Sequence, residues 1–162
     1  MRIYDDIELE FLESFYNDEN KGFRKKQDRS YQFHILPNNQ NGIVSKLCDW
    51  FEMESGEKLI NKNTYLFLHK YEVGDFFDKH IDEAVIDNKN RAYVVGFHIN
   101  DDYEGGIYKL YNPDFIIDKT PGVPYFFKSD RLHEITKITN GTRKSALMFI
   151  NYEDLYRKSN LI

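Results

Sequence analysis

Lys79-His80-Ile81-Asp82, together with His133 and Arg143, is the part of this chain whose residue types and spacing could do chemistry. His80 and Asp82 are two positions apart, so on an extended strand both side chains leave the same face. They would offer a metal two ligands at once, and an imidazole from a distant strand, His133, would complete a two-histidine, one-carboxylate set. Three ligands on one side of a metal leave the other coordination positions open, as non-haem Fe(II) requires for oxygen chemistry. Arg143 follows His133 by ten residues and carries a rigid fork of donors matched to a carboxylate. The implied co-substrate is a dicarboxylate. Taken alone, His80 and Asp82 have a plainer reading, a hydrogen-bonded pair at the end of a surface strand.

The surrounding residues form an ordered series of short motifs. Tyr71-Glu72-Val73-Gly74 precedes His80-Ile81-Asp82, and Arg91 then opens a strand ending in His98-Ile99-Asn100-Asp101-Asp102. Tyr103-Glu104-Gly105-Gly106 follows, and Leu132-His133-Glu134-Ile135 and Gly141-Thr142-Arg143 close the series. In order and spacing, residues 64–151 resemble the 2-oxoglutarate and Fe(II)-dependent dioxygenases, most closely the prolyl 4-hydroxylase group.

The resemblance implies that His80, Asp82 and His133 bind Fe(II) and that 2-oxoglutarate chelates the metal through its keto acid end. Arg143 would pair with the far carboxylate, which makes His80, Asp82, His133 and Arg143 the catalytic set. O2 is the implied oxidant and ascorbate an implied reductant. The implied reaction releases succinate and CO2 and hydroxylates a substrate C–H bond, with a prolyl residue of a protein or peptide as first choice. Tyr71 stands where the family places a co-substrate hydrogen bond from a phenol. His98 departs from the family pattern, which often has Tyr there; its parity with Val94 and Gly96 points it inward, where it could donate to the far carboxylate or pack as a neutral histidine. Ser145 shares the face of Arg143 and could assist with the same carboxylate, Phe149 would line the pocket, and His69 would be a pocket wall. Arg91 resembles a position near the substrate mouth and otherwise reads as a surface cation.

Elements must carry these side chains to one place. Ile7, Phe11, Leu12 and Phe15 recur at helical spacing, as do Val44, Leu47, Cys48 and Phe51 before Gly56, so two amphipathic helices are expected. Residues 20–29 are polar and read as a solvated loop. Tyr31, Phe33 and Ile35 alternate with Gln32 and His34 as in an accessory strand. Eight further strands are expected at about 64–71, 75–81, 91–99, 106–111, 114–118, 123–128, 133–138 and 143–151. Such a count with Gly, Pro and Asn punctuation suits a mainly β fold with flanking α-helices, a cupin-like jelly roll or double-stranded β-helix. One domain over residues 1–162 is expected, with 1–63 as support and 64–151 as the core; 83–90 falls where such enzymes keep a lid. If Asn140-Gly141 closed a two-residue hairpin, Arg143 would oppose Ile138 and point away from the metal. The turn is therefore expected to carry the chain between facing sheets.

Composition narrows the alternatives. At 162 residues and 41% hydrophobic, the chain can bury a core of its own. Its net charge of −5 gives no basic field for nucleic acid or an acidic membrane. The single Cys48 fits a reducing compartment, and no apolar run approaches the roughly 18 residues of a spanning helix; a soluble, cytoplasmic protein is expected, and nothing in the sequence fixes an oligomeric state. Three competing readings stay open: the same chemistry on another side chain, a free amino acid or an alkylated nucleobase; a cupin-like binding module without turnover; and a zinc hydrolase with the same ligands. The nucleobase reading lacks the additional arginine expected around the last strand, since Arg143-Lys144-Ser145-Ala146-Leu147-Met148-Phe149 has only one.

Overall fold

The computed structural model describes residues 1–17, 23–25, 30–37, 39–62, 64–82, 85–86 and 89–157, with the backbone alone for Val85, Ile86 and Lys89. Lys21, Lys26 and Arg29 of the polar run, and Glu83, Ala84, Asp87 and Asn88 of the expected lid, lie outside the described residues.

Helix α1 (Asp6–Glu13) starts at a capping box in which the Asp5 carboxylate accepts from the Glu8 N–H at 2.8 Å and the Glu8 carboxylate accepts from the Asp5 N–H at 2.9 Å. Its inward face is Leu9 and Leu12, continued by Phe15 and Tyr16. Ile7, expected on that face, is 77% exposed; it lies two residues before Leu9, about 200° around the helix. Strands β1 (Arg24–Lys25) and β2 (Gln32–Leu36) follow, and His34 is packed near Phe15 and Phe23 rather than facing solvent. Ile35, expected to be covered like Tyr31, is exposed, since burial falls away along that face. Helix α2 (Ile43–Ser55) lies between left-handed Gly42 and Gly56 and buries Val44, Leu47, Cys48 and Phe51 as the spacing predicts.

The remaining strands are β3 (Leu66–Tyr71), β4 (Phe77–His80), β5 (Val85–Ile86), β6 (Lys89–His98), β7 (Glu104–Gly105), β8 (Tyr108–Leu110), β9 (Phe115–Ile116), β10 (Pro124–Lys128), β11 (His133–Ile135), β12 (Ile138–Asn140) and β13 (Arg143–Asn151). Two of the eight expected strands are broken. The one at 106–111 begins only at Tyr108, and the one at 133–138 is divided into β11 and β12. The interruption falls where Gly105 and Gly106 both take positive φ and the Gly106 N–H donates to the Lys137 carbonyl at 3.2 Å. A Cβ on Gly105 would stand 2.1 Å from that carbonyl oxygen, so the backbones approach this closely only with glycine.

The strands form a double-stranded β-helix. A large sheet runs β1-β2-β3-β13-β6-β10, with β5 paired to β6. A smaller sheet runs β4-β11-β8-β9, and β12 pairs with β7. Alternation along the central strands of the large sheet sends side chains to two cores. Leu66, Leu68, Val95, Phe97, Ala146 and Met148 face α1 and α2. Tyr71, Val94 and Phe127 meet Tyr108, Leu110 and Ile135 of the smaller sheet in the interior.

The turn at Asn140-Gly141 behaves as expected. Ile138 pairs with Gly105 and Arg143 pairs with Tyr71, so the chain leaves one sheet and joins another instead of folding back on itself. Among the described residues no helix is long and apolar enough to cross a membrane.

Two predictions follow from the packing. Gly105→Ala should destabilise the fold by roughly 2 kcal/mol or more, read as a lowered midpoint in denaturant unfolding, because the new methyl group must move the Lys137 backbone. Burial pushes the Cys48 thiol up to about 12, so an alkylating reagent at mildly alkaline pH should leave native protein unmodified and label it only after unfolding.

Candidate active site

His80 and His133 lie directly opposite each other on the antiparallel pair β4 and β11, which brings their ring centroids to 4.1 Å. Asp82 follows the end of β4 and is held by its backbone N–H, which donates to the Ser129 carbonyl at 2.8 Å. Its carboxylate oxygens lie 3.5 Å from His80 Nε2 and 3.1 Å from His133 Nε2. One ligand atom from each residue falls within 4.8 Å of the others, a spacing that one metal ion can bridge.

The imidazoles are oriented by the backbone. His80 Nδ1 donates to the Asp78 carbonyl at 2.6 Å and His133 Nδ1 donates to the Arg131 carbonyl at 2.8 Å. Each bond fixes the hydrogen on Nδ1 and leaves Nε2 to coordinate. Phe77 stacks on His80 at 3.6 Å, and Phe127 sits 4.9 Å from His133. Burial of Asp82 opposes its ionisation, but the His133 and His80 rings beside it outweigh this and hold its carboxyl well below the usual carboxylate range. The donor set is therefore a carboxylate with two imidazole Nε2 atoms, which fits Fe(II).

Arg143 enters the same interior from β13 and is 1% exposed. Nη1 donates to Ser145 Oγ at 3.0 Å and Nη2 to His98 Nε2 at 3.1 Å, while the rings of Tyr71 and Tyr108 lie 5.1 and 5.5 Å from the guanidinium carbon. Tyr108 also lies 5.8 Å from His133, so a single ring walls both the guanidinium and the His80, Asp82 and His133 group. Gly106 leaves room for the arginine stem, since a Cβ there would come within 3.2 Å of Arg143 Cδ and 2.3 Å of Ile138 Cδ1. Among the described residues no carboxylate forms an ion pair with Arg143.

The structure refines the expected part of His98. Burial first, then Arg143 and Lys119, lower its pKa well below the ordinary histidine value and keep the ring neutral. Nε2 accepts from Arg143, so the hydrogen sits on Nδ1 and Nε2 has none to give to a carboxylate. His98 holds the guanidinium in place, and only Nδ1–H is left to donate.

Five buried polar atoms find no hydrogen-bond partner among the described residues: Tyr71 Oη, Tyr103 Oη, Tyr125 Oη, His98 Nδ1 and Arg143 Nε. All five belong to Arg143 or to side chains close enough to act on it. Unpaired polar atoms are rare in protein interiors, and a cluster of donors around a cation is what an anionic ligand would satisfy. The residues present thus fit a dicarboxylate at one end and a divalent metal at the other.

Of the residues expected from the sequence, His80, Asp82 and His133 come together as one group, and Tyr71, His98 and Ser145 gather around Arg143. His69 is buried beside Tyr31, with centroids at 4.8 Å. Arg91 lies over the ring of Phe149 at 3.6 Å. Sequence reading missed Tyr103, Tyr108 and Tyr125. The parity of Tyr125 with Phe127 was a usable signal for one of them; Tyr103 lies in a loop and Tyr108 follows the glycine break, where strand parity says nothing.

The comparisons with known proteins bear on the same segment. Residues 66–151 match the model of the 2OG-Fe(II) oxygenase superfamily, more than half of the chain. The chain belongs to this superfamily. Its chemistry is that of a dioxygenase using Fe(II), 2-oxoglutarate and O2. Among solved structures, a Pseudomonas putida prolyl-4-hydroxylase superposes with a TM-score of 0.67 at 12% identity, over 88% of this chain and 84% of that one. The viral collagen prolyl hydroxylase of Paramecium Bursaria Chlorella virus-1, solved with 2OG, gives 0.70 at 14% identity over 91% and 90%. A Trichoplax adhaerens prolyl hydroxylase in complex with a hypoxia inducible factor oxygen degradation domain peptide fragment gives 0.66 at 16% identity over 90% and 77%. At these identities the likeness is one of fold. No curated protein sequence matches the chain.

For an oxygenase with these ligands, added Fe(II) or Mn(II) without oxygen should raise the thermal midpoint of the wild-type protein by mass action. Asp82→Ala should abolish that rise; an undiminished shift in the variant would remove Asp82 from the metal site.

Proposed function

We propose that this oxygenase hydroxylates prolyl residues of a protein or peptide, with His80, Asp82 and His133 holding Fe(II) and Arg143 gripping the far carboxylate of 2-oxoglutarate. The observation that carries the reading is a fully buried guanidinium with no anionic partner among the described residues, in the same interior as the three ligand side chains. Fe(II) with 2-oxoglutarate and O2 supplies oxidative decarboxylation to succinate and CO2, coupled to hydroxylation of a C–H bond.

The chain's own residues set the geometry. Nδ1–H bonds to the carbonyls of residues 78 and 131 aim both imidazoles, and Asp82 presents an anionic oxygen between them. Ser145 and His98 accept from Arg143 and hold its fork fixed, so little order need be imposed when a carboxylate arrives. Tyr71 is entirely buried, with its hydroxyl unpaired among the described residues, in keeping with a hydrogen bond to the co-substrate. The aromatic walls Phe77, Tyr108 and Phe127 exclude water and strengthen each of these interactions.

A peptidyl proline as substrate is supported by the prolyl hydroxylases among the structural neighbours and by the peptide bound in one of them. A net charge of −5 and a lone arginine in the last strand weigh against a nucleic-acid substrate.

Incubation with Fe(II), 2-oxoglutarate, ascorbate, oxygen and a proline-containing peptide library should yield succinate and peptides heavier by one oxygen atom in mass spectrometry. Products modified only at other residues would displace proline as the target. Arg143→Ala should raise the 2-oxoglutarate concentration needed by roughly 30-fold or more while metal stays bound, since it removes one partner of a buried charge pair. Unaltered 2-oxoglutarate affinity in that variant would refute the clamp.

A further inference from the structure

Tyr125 of β10 pairs with Gly96 of β6 in the large sheet, and both face the interior. A Cβ on Gly96 would stand 2.8 Å from Tyr125 Oη and 2.7 Å from the Ala146 carbonyl oxygen. The phenol oxygen therefore occupies the space that any side chain at position 96 would take, and the absence of one there lets the hydroxyl reach inward. Glycine in a central strand weakens the strand, so this reach is obtained against a local cost.

The ring is fixed from several sides. It meets Tyr108 edge-on at 5.5 Å, lies 5.9 Å from His98 and runs parallel to Phe127 at 6.3 Å. Tyr108 and His98 are the side chains that also touch Arg143. The Tyr125 hydroxyl is buried, and although the Tyr108 phenol stands near it, it makes no hydrogen bond of ordinary geometry among the described residues. A phenylalanine would fill the same volume without burying an unpaired donor, and the next two residues, Phe126 and Phe127, show that this strand accepts it. Burial raises the Tyr125 pKa far above the ordinary phenol value, so the group keeps its hydrogen at any physiological pH and acts as a donor.

We infer that Tyr125 is a co-substrate-binding residue whose hydroxyl, admitted by Gly96, donates to the 2-oxoglutarate carboxylate gripped by Arg143. The inference rests on the reading of Arg143 given above. It adds a further donor, from the strand on the far side of β6, to Arg143 and Ser145 of β13, His98 of β6 and Tyr71 of β3. Because the hydroxyl is unsatisfied without ligand, its removal should have opposite effects on the free protein and on binding.

The test compares wild-type protein with Tyr125→Phe, both loaded with Fe(II) under anaerobic conditions. Calorimetric titration with 2-oxoglutarate should show affinity falling on the order of tenfold in the variant, the worth of one hydrogen bond to a charged group. The thermal midpoint without 2-oxoglutarate should stay level or rise. Pyruvate, a 2-oxo acid with no far carboxylate, should bind both proteins equally. Equal 2-oxoglutarate affinity in the two proteins overturns the assignment and leaves the Arg143 reading standing. A fall in the unligated midpoint also overturns it, by showing that the hydroxyl already has a structural partner, as does an equal loss of affinity for pyruvate. Failure of the wild-type protein to bind 2-oxoglutarate at all overturns both readings.

Discussion

A positive charge buried without a counter-charge among the described residues is the constraint on which the interior of this protein turns. Taking a guanidinium out of water costs several kcal/mol unless charge or hydrogen bonds compensate, and the described residues compensate Arg143 with neutral groups: the Ser145 hydroxyl, the His98 imidazole and the surrounding tyrosines. The fold keeps the charge in place by geometry. The arginine stem passes over Gly106, its backbone is paired to Tyr71 in the centre of the large sheet, and its acceptors are Ser145, two residues along the same strand, and His98, which pairs with Ser145 from β6. An anion entering this space meets donors that are already aligned.

The candidate metal ligands follow a related logic on the smaller sheet. Antiparallel pairing sets His80 against His133, and a carbonyl two residues upstream of each ring fixes its orientation. Asp82 lies just past the strand end, anchored through its backbone to Ser129. The two halves of the site are thus built on different sheets. The jelly roll brings them to face each other, and the ring of Tyr108 stands between them.

Stability and chemistry are divided between two cores. The layer between the large sheet and the two helices is almost wholly apolar and closely covered, with Leu12, Leu47, Phe51, Leu68, Phe97 and Met148 buried throughout. The interior between the sheets is rich in tyrosine and histidine, and it holds all five of the unpaired polar atoms found among the described residues. Such atoms destabilise a fold by about 1–3 kcal/mol each, and the outer core offsets that burden. An interior that is poorly satisfied when free and well satisfied when occupied is what pre-organised binding requires.

Much of this could be read from the chain alone. The two-residue spacing of His80 and Asp82, the position of His133 and the lone Arg143 were enough to single out side chains that converge in the interior, because residue type and spacing are local properties. Parity also placed His98 inward and excluded a hairpin at Asn140-Gly141. Local pattern failed where burial depends on distant partners, as at Ile7 and Ile35, and where close backbone approach at Gly105 breaks two strands. It could say that His98 faces the site but not that Arg143 takes its Nε2 and turns it from donor to support. Nor could it show that an empty position at Gly96 makes room for the Tyr125 phenol. The sequence by itself determined which chemical groups are present and which face each leaves; the tertiary structure decided which of them meet, since the pairing of strands far apart in the chain sets every distance in the site.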